Sequence, residues 1–305
     1  MYTATIGFFD GVHRGHRFLI EHLIDDARQH ATQSMVITFD HHPRRVLGSD
    51  YQPHLLTTLD EKCQLLRQTG IDRLEVLHFD SALAALSARQ FMTDVLYHRL
   101  QVRRLFIGYD NRFGHNREES FPDYVAYGRS LGMEVMQTPQ MELSGHHVSS
   151  SSVRSYLAEG LVEDAALCLG RPYHFSGQVV AGEQKGREIG FPTANLQLDD
   201  PDKLIPRAGA YAVSVRIDDE TEERLAMMNI GRRPTFGGLK TTLEVHLINF
   251  QANLYGHRLT VSFRHWLRPE QPFVTPEALA RQLQSDRNAT LRWLSEGADN
   301  YGLSN

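Results

Sequence analysis

Short apolar runs alternate with helical patterns through the first half of the chain. The strands expected from these runs are residues 3–6, 35–39, 74–79, 105–107 and 133–136. Continuous apolar strands that alternate with helices predict an α/β domain with a parallel sheet covered on both faces. Ligands of such sheets bind at the carboxyl ends of the strands. Gly7, Asp40 and Gly108 lie just beyond three of these ends, so we expect a binding site there.

The pattern changes near residue 170. The strands expected beyond that point are residues 179–180, 211–217, 225–230, 242–248 and 259–263. Clusters of Gly, Pro and Asp separate these segments without a long helical pattern between them, which predicts a small antiparallel barrel. A final helix is expected from about Pro276 to Trp293. We therefore predict two domains, residues 1–170 and 171–305, each long enough to bury its own core.

Composition restricts the class of protein. The net charge is -5 with histidine neutral, which argues against a non-specific nucleic-acid binder with a basic face. Cys63 and Cys168, the two cysteines, do not form a C-x-x-C pair, so free thiols are the default interpretation. We find neither a membrane-length apolar run nor a signal-peptide pattern at the N-terminus. We therefore expect a cytoplasmic protein that binds neither nucleic acid nor membranes.

Residues 7–16, GFFDGVHRGH, link the first expected strand to the first helix. Glycines allow a tight turn and close approach to a ligand, and a helix N-terminus attracts anions. His13 and His16 can donate hydrogen bonds to phosphate oxygens there. The alternatives are a glycine turn with two surface histidines, or a zinc pair joined by His41 and His42. Because no cysteine or carboxylate stands here at metal spacing, the zinc alternative is the weaker one.

Two further segments can reach the same edge of the sheet. Residues 108–114, GYDNRFG, follow a strand, and their polar side chains can bind a ribose or base, with Arg112 on a phosphate. Residues 148–154, VSSSSVR, precede a helical pattern, and hydroxyls at a helix start together with Arg154 suit a second phosphate site. The structural alternatives are a plain glycine-bounded loop and a flexible serine linker.

A glycine-rich segment opens the second half. Gly182, Gly186 and Gly190 recur at four-residue steps, which permits a loop that wraps phosphates. Thr193 and Asn195 follow them and can both present oxygen to Mg²⁺, a hard cation. The sequence is neither a Walker A loop nor G-x-G-x-x-G. The alternative is a β-turn built on the proline that precedes Thr193.

The segment TLEVHL at residues 242–247 alternates in polarity. Its three apolar residues share one face, and Glu244 and His246 point to the other. A carboxylate on a strand is usually a solvated outer residue. The functional alternative for Glu244 is a general base that takes a proton from an attacking hydroxyl.

The first-half segments resemble the adenylyltransferase half of bacterial bifunctional riboflavin kinase/FMN adenylyltransferase (FAD synthetase). That family carries G-x-F-D-G-x-H-x-G-H, G-x-[DN]-F-x-F-G and I-S-S-T-x-I-R. The resemblance implies that His13 and His16 are catalytic and bind ATP phosphates. The residues that it assigns to ATP in this half are Gly7, Phe8, Phe9, Asp10, Gly15, Asp110, Arg112, Ser149, Ser150 and Arg154. The chain departs from the pattern at Phe8, Asn111 and Ser151, where Asn, Phe and Thr are usual.

The second half resembles the riboflavin kinase half of the same family. GRxxGFPTAN, NIGxRPTFGG and LEVHL occur in order at residues 186–195, 229–238 and 243–247. The resemblance implies that Glu244 is the base for the riboflavin 5′-hydroxyl and that residues 232–237 form a mobile flap. The residues that it assigns to ATP here are Gly182, Gly186, Arg187, Gly190, Thr193 and Asn195, with Thr193 and Asn195 also on Mg²⁺. The residues that it places near the flavin are Arg268, Glu270 and Phe273.

The fold expected is therefore α/β: a Rossmann-like parallel-sheet nucleotidyltransferase domain, then a small antiparallel β-barrel kinase domain with a C-terminal helix. The resemblance implies riboflavin, FMN and ATP as substrates, Mg²⁺ as cofactor and FMN and FAD as products. Two alternatives stay open at this point. H-x-G-H after a first strand also occurs in other nucleotidylyltransferases, and a non-catalytic flavin-binding regulator could keep the same fold.

Overall fold

The computed structural model describes residues 1–43, 54–109, 111–115, 118–139, 141–143, 146–182, 186, 189–235 and 238–297. The chain forms two compact units, Met1–Ser150 and Ser151–Asn305. The domain boundary near residue 170 stays a prediction.

The first unit contains the predicted parallel sheet, with strand order β3-β2-β1-β4-β5. Its strands are β1 (Tyr2–Ile6), β2 (Gln33–Phe39), β3 (Arg73–Leu77), β4 (Val102–Ile107) and β5 (Glu134–Gln137). Its helices are α1 (Arg14–Gln29), α2 (Leu59–Arg67), α3 (Ser81–Ala84), α4 (Ala88–Gln90) and α5 (Phe121–Leu131), with a 3₁₀ turn at Asp10–Val12 and a π-helix at Phe91–Arg99. A hairpin of β6 (Glu142–Leu143) and β7 (His146–His147) follows β5.

Alternate residues of the central strands pack on opposite faces of this sheet. Val36 and Phe106 join one buried cluster, which includes apolar residues of α1 and α2. Met35 and Leu105 join a second cluster, which includes apolar residues of the π-helix and α5. Both faces are therefore covered, and the carboxyl edge of the sheet is where binding groups are expected.

Two helices, α6 (Ser150–Glu159) and α7 (Val162–Leu169), lead into a closed barrel of six strands with order β10-β11-β12-β9-β8-β13. All strand pairs of the barrel are antiparallel, as predicted. The strands are β8 (His174–Val180), β9 (Ala194–Leu198), β10 (Gly209–Ile217), β11 (Arg224–Thr235), β12 (Gly238–Leu247) and β13 (Arg258–Pro269).

The strand β9 was not predicted. Of its five residues, Leu196 alone is buried, and Asn and Gln flank that position, so the apolar pattern is too short to indicate a strand. Its pairing with β8 and β12 nevertheless closes the barrel. The expected C-terminal helix is α8 (Pro276–Gly297). None of the helices in the described part of the chain has the length and apolar character needed to cross a membrane.

Candidate active sites

The loop after β1 has an unusual backbone. Phe9 and Val12 have φ values of 55° and 41°, and Gly11 between them has 79°. A left-handed conformation is costly for a β-branched residue such as Val12, which is fully buried. Strain of this kind persists only where the surrounding structure enforces it, and it is concentrated at functional sites. The loop leads directly into His13 and α1.

His13 caps the N-terminus of α1. Its Nδ1 accepts the backbone N–H of His16 at 3.3 Å, and the two imidazole rings stack with centroids 3.6 Å apart. An imidazole nitrogen that accepts carries no proton, so the proton of neutral His13 lies on Nε2. In that tautomer Nε2 is the donor of the His13 ring. Gly15 permits this packing, because a Cβ there would lie 3.2 Å from the His13 ring.

His16 lies beside His13 and is half-buried. Burial, and then the neighbouring charges of His13 and Lys62, hold its pKa well below the usual value for histidine. The imidazole is therefore neutral at neutral pH. Its buried Nδ1 has no hydrogen-bond partner among the described residues. An orphaned buried nitrogen is costly unless a ligand or water satisfies it, which favours a binding role.

Asp10 anchors the same loop. Its buried carboxylate accepts the N–H groups of Leu56 and Thr57 and the Thr57 hydroxyl, at 3.0 to 3.1 Å. Gly11 N–H donates to that hydroxyl at 3.0 Å. These bonds tie the loop after β1 to the segment before α2. Donors of the chain itself occupy the Asp10 carboxylate. The ATP contact assigned to Asp10 stays a prediction.

The other predicted segments of this unit reach the same loop. Ser150 Oγ donates to the carbonyl of Asp10 at 2.9 Å. Asn111 Nδ2 donates to the carbonyl of Ile6 at 2.5 Å, at the end of β1. The sequence segments containing Gly7, Asn111 and Ser150 therefore converge at the carboxyl end of β1, as expected. Asp110 lies outside the described residues.

The remaining predicted ATP residues of this half differ in exposure. Arg112 is exposed, Ser149 is half-buried, and Arg154 is half-buried on α6, in the second unit. Phe9 is buried and lies edge-on to His16, with ring centroids 5.1 Å apart. Their contacts with ATP stay predictions.

Lys62, a lysine of α2, is 2% exposed and is a residue that the sequence did not single out. Its Nζ donates to the carbonyl of Phe39 at 2.8 Å and lies 3.8 Å from the centroid of the Phe8 ring. Burial lowers its pKa from 10.5 to about 8, against the opposing effect of the Asp10 carboxylate. The pattern LDEKCQLLR gives no signal for it, because a lysine beside two acids is typical of a solvated helix face.

The zinc alternative at His13 and His16 gains no support. Within the part of the chain that the structure describes, no set of three or more candidate ligands includes either residue. His42 instead lies edge-on to Phe8, with ring centroids 4.6 Å apart.

In the barrel, strand register gathers three polar side chains. Glu244 on β12 is directly opposite Asn195 on β9 and directly opposite Asn229 on β11. Residues opposite one another point to the same face, and their Cβ atoms lie close together. The carboxylate of Glu244 therefore has an amide on each side. Asn229 stood in a quoted motif but was not selected, because one strand's sequence carries no register.

The glycine-rich segment packs against this row. A Cβ on Gly182 would lie 2.0 Å from Asn195 Nδ2, so a side chain at that position is impossible without movement of Asn195. A Cβ on Gly186 would lie 2.3 Å from the carbonyl of Phe191. Gly190 has a φ of 83°, a conformation that favours glycine. Arg187 lies outside the described residues.

His246 holds the segment that carries Thr193. Its Nδ1 lies 2.8 Å from the carbonyl of Pro192, and its ring lies 5.2 Å from that of Phe191. Burial lowers the pKa of His246, and the hydrogen bond to Pro192 partly opposes that shift. Residues Glu244 and His246 share a face of β12, so the strand that presents the carboxylate also fixes the Thr193 loop beside it.

Two of the residues predicted near the flavin, Arg268 and Glu270, are hydrogen-bonded to different partners. Arg268 forms a bidentate pair with Asp286 of α8, at 2.8 to 3.1 Å. The side chain of Arg268 is 16% exposed and that of Asp286 is 6% exposed, so the two form a largely buried ion pair. The Arg268 guanidinium lies 5.7 Å from the centroid of the Phe273 ring.

Glu270 holds the start of the predicted flap. Both of its carboxylate oxygens lie 3.2 Å from the backbone N–H of Arg232. Residues 232–235 belong to β11, whereas residues 236–237 lie outside the described residues. The mobility expected of the flap stays a prediction.

Two family models match successive parts of the chain. A model described as FAD synthetase matches residues 2–152, and one described as riboflavin kinase matches residues 169–294. A bifunctional riboflavin kinase/FMN adenylyltransferase of Escherichia coli K12 is 39% identical, over 93% of this chain and 90% of that protein. The chain belongs to the bifunctional riboflavin kinase/FMN adenylyltransferase family.

Other members of this family are similar over the same length. The Pseudomonas fluorescens protein is 39% identical over 93% of this chain and 90% of its own, and that of Listeria monocytogenes is 34% identical over 97% and 94%. A crystal structure from Streptococcus pneumoniae, named as a macrolide-efflux protein, superposes with a TM-score of 0.87 at 30% identity, over 95% of this chain and 94% of its own. That name describes the Streptococcus protein alone.

Proposed function

We propose that the chain carries out both reactions of its family in two separate sites. The barrel phosphorylates riboflavin to FMN, and the parallel-sheet domain transfers AMP from ATP to FMN, giving FAD and pyrophosphate. The observation that supports the kinase site best is the row of Asn195, Glu244 and Asn229 across three strands.

In the kinase reaction, Glu244 acts as the general base. It accepts the proton of the riboflavin 5′-hydroxyl while that oxygen bonds to the γ-phosphorus of ATP and the bond to the ADP oxygen breaks. The amides of Asn195 and Asn229 orient the carboxylate and the substrate groups that contact it. The loop beside Thr193, fixed by His246, places the phosphates against this row.

The residues present also suit Mg²⁺. Thr193 and Asn195 supply neutral oxygens, which together with phosphate oxygens are the ligands that Mg²⁺ prefers. The backbone of Gly182 packs directly against the Asn195 amide, where a Cβ would lie 2.0 Å from Nδ2, so the glycine leaves room for the side chain that carries one of these oxygens. Thr193 and Asn195 would hold the ion. When bound, Mg²⁺ neutralises charge on the phosphate oxygens.

In the adenylyl transfer, an oxygen of the FMN phosphate attacks the α-phosphorus of ATP and the bond to pyrophosphate breaks. This displacement needs no nucleophile from the chain. His13, with its proton on Nε2, donates to a phosphate oxygen. His16 offers to the nucleotide its ring Nδ1, which has no partner among the described residues. The N-terminus of α1 adds a positive partial charge at the same place.

The flavin of the kinase site is bound beside α8. Phe273 presents an aromatic surface for the ring system of riboflavin, and Arg268, held by Asp286, fixes the position of that surface. Glu270 anchors Arg232, where the flap begins. In the other domain, Ser149, Ser150 and the exposed Arg112 complete the phosphate contacts.

Two variants test the separation of the sites. Glu244→Gln removes the base without changing shape, so we expect loss of FMN formation from riboflavin and unchanged FAD formation from supplied FMN. His16→Ala should do the reverse. Chromatographic separation of riboflavin, FMN and FAD over time, with ATP and Mg²⁺, measures both activities in one experiment.

Matched controls exist in the same two units of the chain. Glu222→Gln changes an exposed carboxylate of the barrel that pairs with Arg224, and His22→Ala changes an exposed histidine of α1. Both should retain both activities. If Glu244→Gln or His16→Ala abolished both reactions while its circular dichroism spectrum stayed native, the assignment of separate sites would be wrong.

A further inference from the structure

Two neighbouring strand ends bring a carboxylate and two imidazoles together, apart from the groups used above. Asp40 and His41 follow β2, and His78 follows β3. These parallel strands pair up to Phe39 opposite Leu77, so the residues just beyond that pair lie side by side. The sheet therefore fixes the backbone beneath this cluster.

The carboxylate of Asp40 lies between the two rings. Its Oδ1 is 2.9 Å from His41 Nδ1, and its Oδ2 is 2.6 Å from His78 Nδ1. All three ligand atoms lie within 4.8 Å of one another. His41 directly follows Asp40, whereas His78 comes from the end of the neighbouring strand, so two paired strand ends supply the three groups.

Backbone groups hold the carboxylate in place. The N–H groups of His41 and Phe79 donate to Asp40 Oδ1 at 2.7 and 3.0 Å. Hydrogen bonds from outside the ligand set that orient a ligating carboxylate are typical of metal sites. The two rings are nearly perpendicular, at 85°, and their side chains are more than half exposed, which leaves room for additional water ligands.

We propose that Asp40, His41 and His78 form a binding site for a divalent transition-metal ion of the Zn²⁺ class. Metal–ligand bonds of about 2.1 Å place tetrahedral ligand atoms roughly 3.4 Å apart. The two contacts with Asp40 need to open by less than about 1 Å to reach that spacing. Two imidazoles with one carboxylate select Zn²⁺, Co²⁺ or Ni²⁺ over Mg²⁺ and Ca²⁺, which prefer oxygen.

The site is distinct from the proposed catalytic groups but adjacent to them. Asp40 directly follows Phe39, whose carbonyl accepts the buried ammonium of Lys62. A cation bound to Asp40 would neutralise a carboxylate that acts on that ammonium. The site belongs to the first unit and therefore to the adenylyltransferase half.

Cobalt absorption gives a test that does not depend on activity. The full chain without an affinity tag is titrated with Co²⁺ in excess Mg²⁺, and the visible ligand-field bands are recorded, followed by displacement with Zn²⁺. We expect one Co²⁺ per chain, with affinity at least about tenfold weaker in His78→Ala and in His41→Ala. His98→Ala, which changes an exposed histidine of the π-helix, should bind as the wild type does.

Two results would overturn the proposal. One is Co²⁺ affinity in His41→Ala and His78→Ala equal to that of the wild type. The other is loss of the bands in His16→Ala alone, which would place the metal at the proposed phosphate site. Because His41 and His78 are largely exposed, unchanged circular dichroism in their variants is expected and separates loss of a ligand from loss of the fold.

Discussion

Lys62→Met tests the consequences of burying a charge beneath the proposed adenylyltransferase site. Burial lowers the pKa of Lys62 from 10.5 to about 8. At about 1.4 kcal/mol for each pKa unit, the native state carries a cost of roughly 3 kcal/mol for the charged form at neutral pH. Methionine keeps much of the apolar stem and removes that cost. Loss of the hydrogen bond from Lys62 to the Phe39 carbonyl offsets about 1–3 kcal/mol of that gain in stability.

The pH dependence is the diagnostic result. Between pH 8 and 10.5 the unfolded chain keeps the Lys62 proton whereas the native chain has lost it. The unfolded state then binds more protons, so the free energy of unfolding of the wild type rises with pH through this window, by up to about 1.4 kcal/mol per pH unit. Below pH 8 the native state carries the full free-energy cost of burying the charged Lys62. The variant lacks this rise, so its advantage at pH 7 should shrink or reverse by pH 10.

Urea unfolding followed by far-ultraviolet circular dichroism, at pH values from 7 to 10, measures the effect. Both tryptophans of the chain, Trp266 and Trp293, lie in the second unit, so their fluorescence provides a reference transition. Arg67→Gln, an exposed change on the same helix, is the matched control. A constant difference in unfolding free energy between wild type and Lys62→Met across this pH range would refute the reasoning.

Three further predictions concern other parts of the molecule. Gly182→Ala should abolish FMN formation and spare adenylyl transfer, because its Cβ would lie 2.0 Å from Asn195 Nδ2; the two rates are the measurement. Asp286→Ala leaves the guanidinium of Arg268 largely buried without its carboxylate, so the tryptophan-detected unfolding free energy should fall by about 3 kcal/mol, and a loss below 1 kcal/mol would contradict a buried pair. ATP phosphates should raise the depressed pKa of His16, so calorimetry in buffers of different ionisation enthalpy should detect proton uptake on ATP binding that His16→Ala lacks.

Local patterns predicted most of the first domain. The apolar runs located all five strands of the sheet, and the local pattern of Ser87 and Gln90 matches a capping box with both of its hydrogen bonds present. Such signals act within a few residues, so they can be read from the chain directly. The convergence of the sequence segments after β1 and β4 followed from the rule that ligands meet the carboxyl ends of parallel strands.

Groups that depend on tertiary contacts were not predictable in this way. Lys62 is surrounded in sequence by residues of a solvated helix, and its burial comes from Phe8 and Phe39, which are far away along the chain. The strand β9 has a single buried position, so pairing with its neighbours decides its structure. His78 and Asp40 likewise become neighbours only through the register of β2 and β3.

The functional interpretation of Glu244 depends on the register of the barrel strands. An alternating strand places this carboxylate on the polar face, where solvated residues are the common case. Its strand alone therefore could not distinguish a base from a surface residue. The pairing of β12 with both β9 and β11 puts amides on either side of it, and those amides come from two other sequence segments. The functional interpretation of Glu244 is stronger in the folded barrel than in the sequence for this reason.

Phe8, one of the departures from the family pattern, has a physical explanation in the structure. A phenylalanine stands where asparagine is usual, and its ring lies 3.8 Å from the buried ammonium of Lys62. A desolvated cation gains about 2 kcal/mol over an aromatic face, whereas an amide in the same place would offer at most one hydrogen bond. The phenylalanine therefore stabilises the buried ammonium of Lys62. His13 and His16, which we propose for the adenylyl transfer, lie at the start of α1.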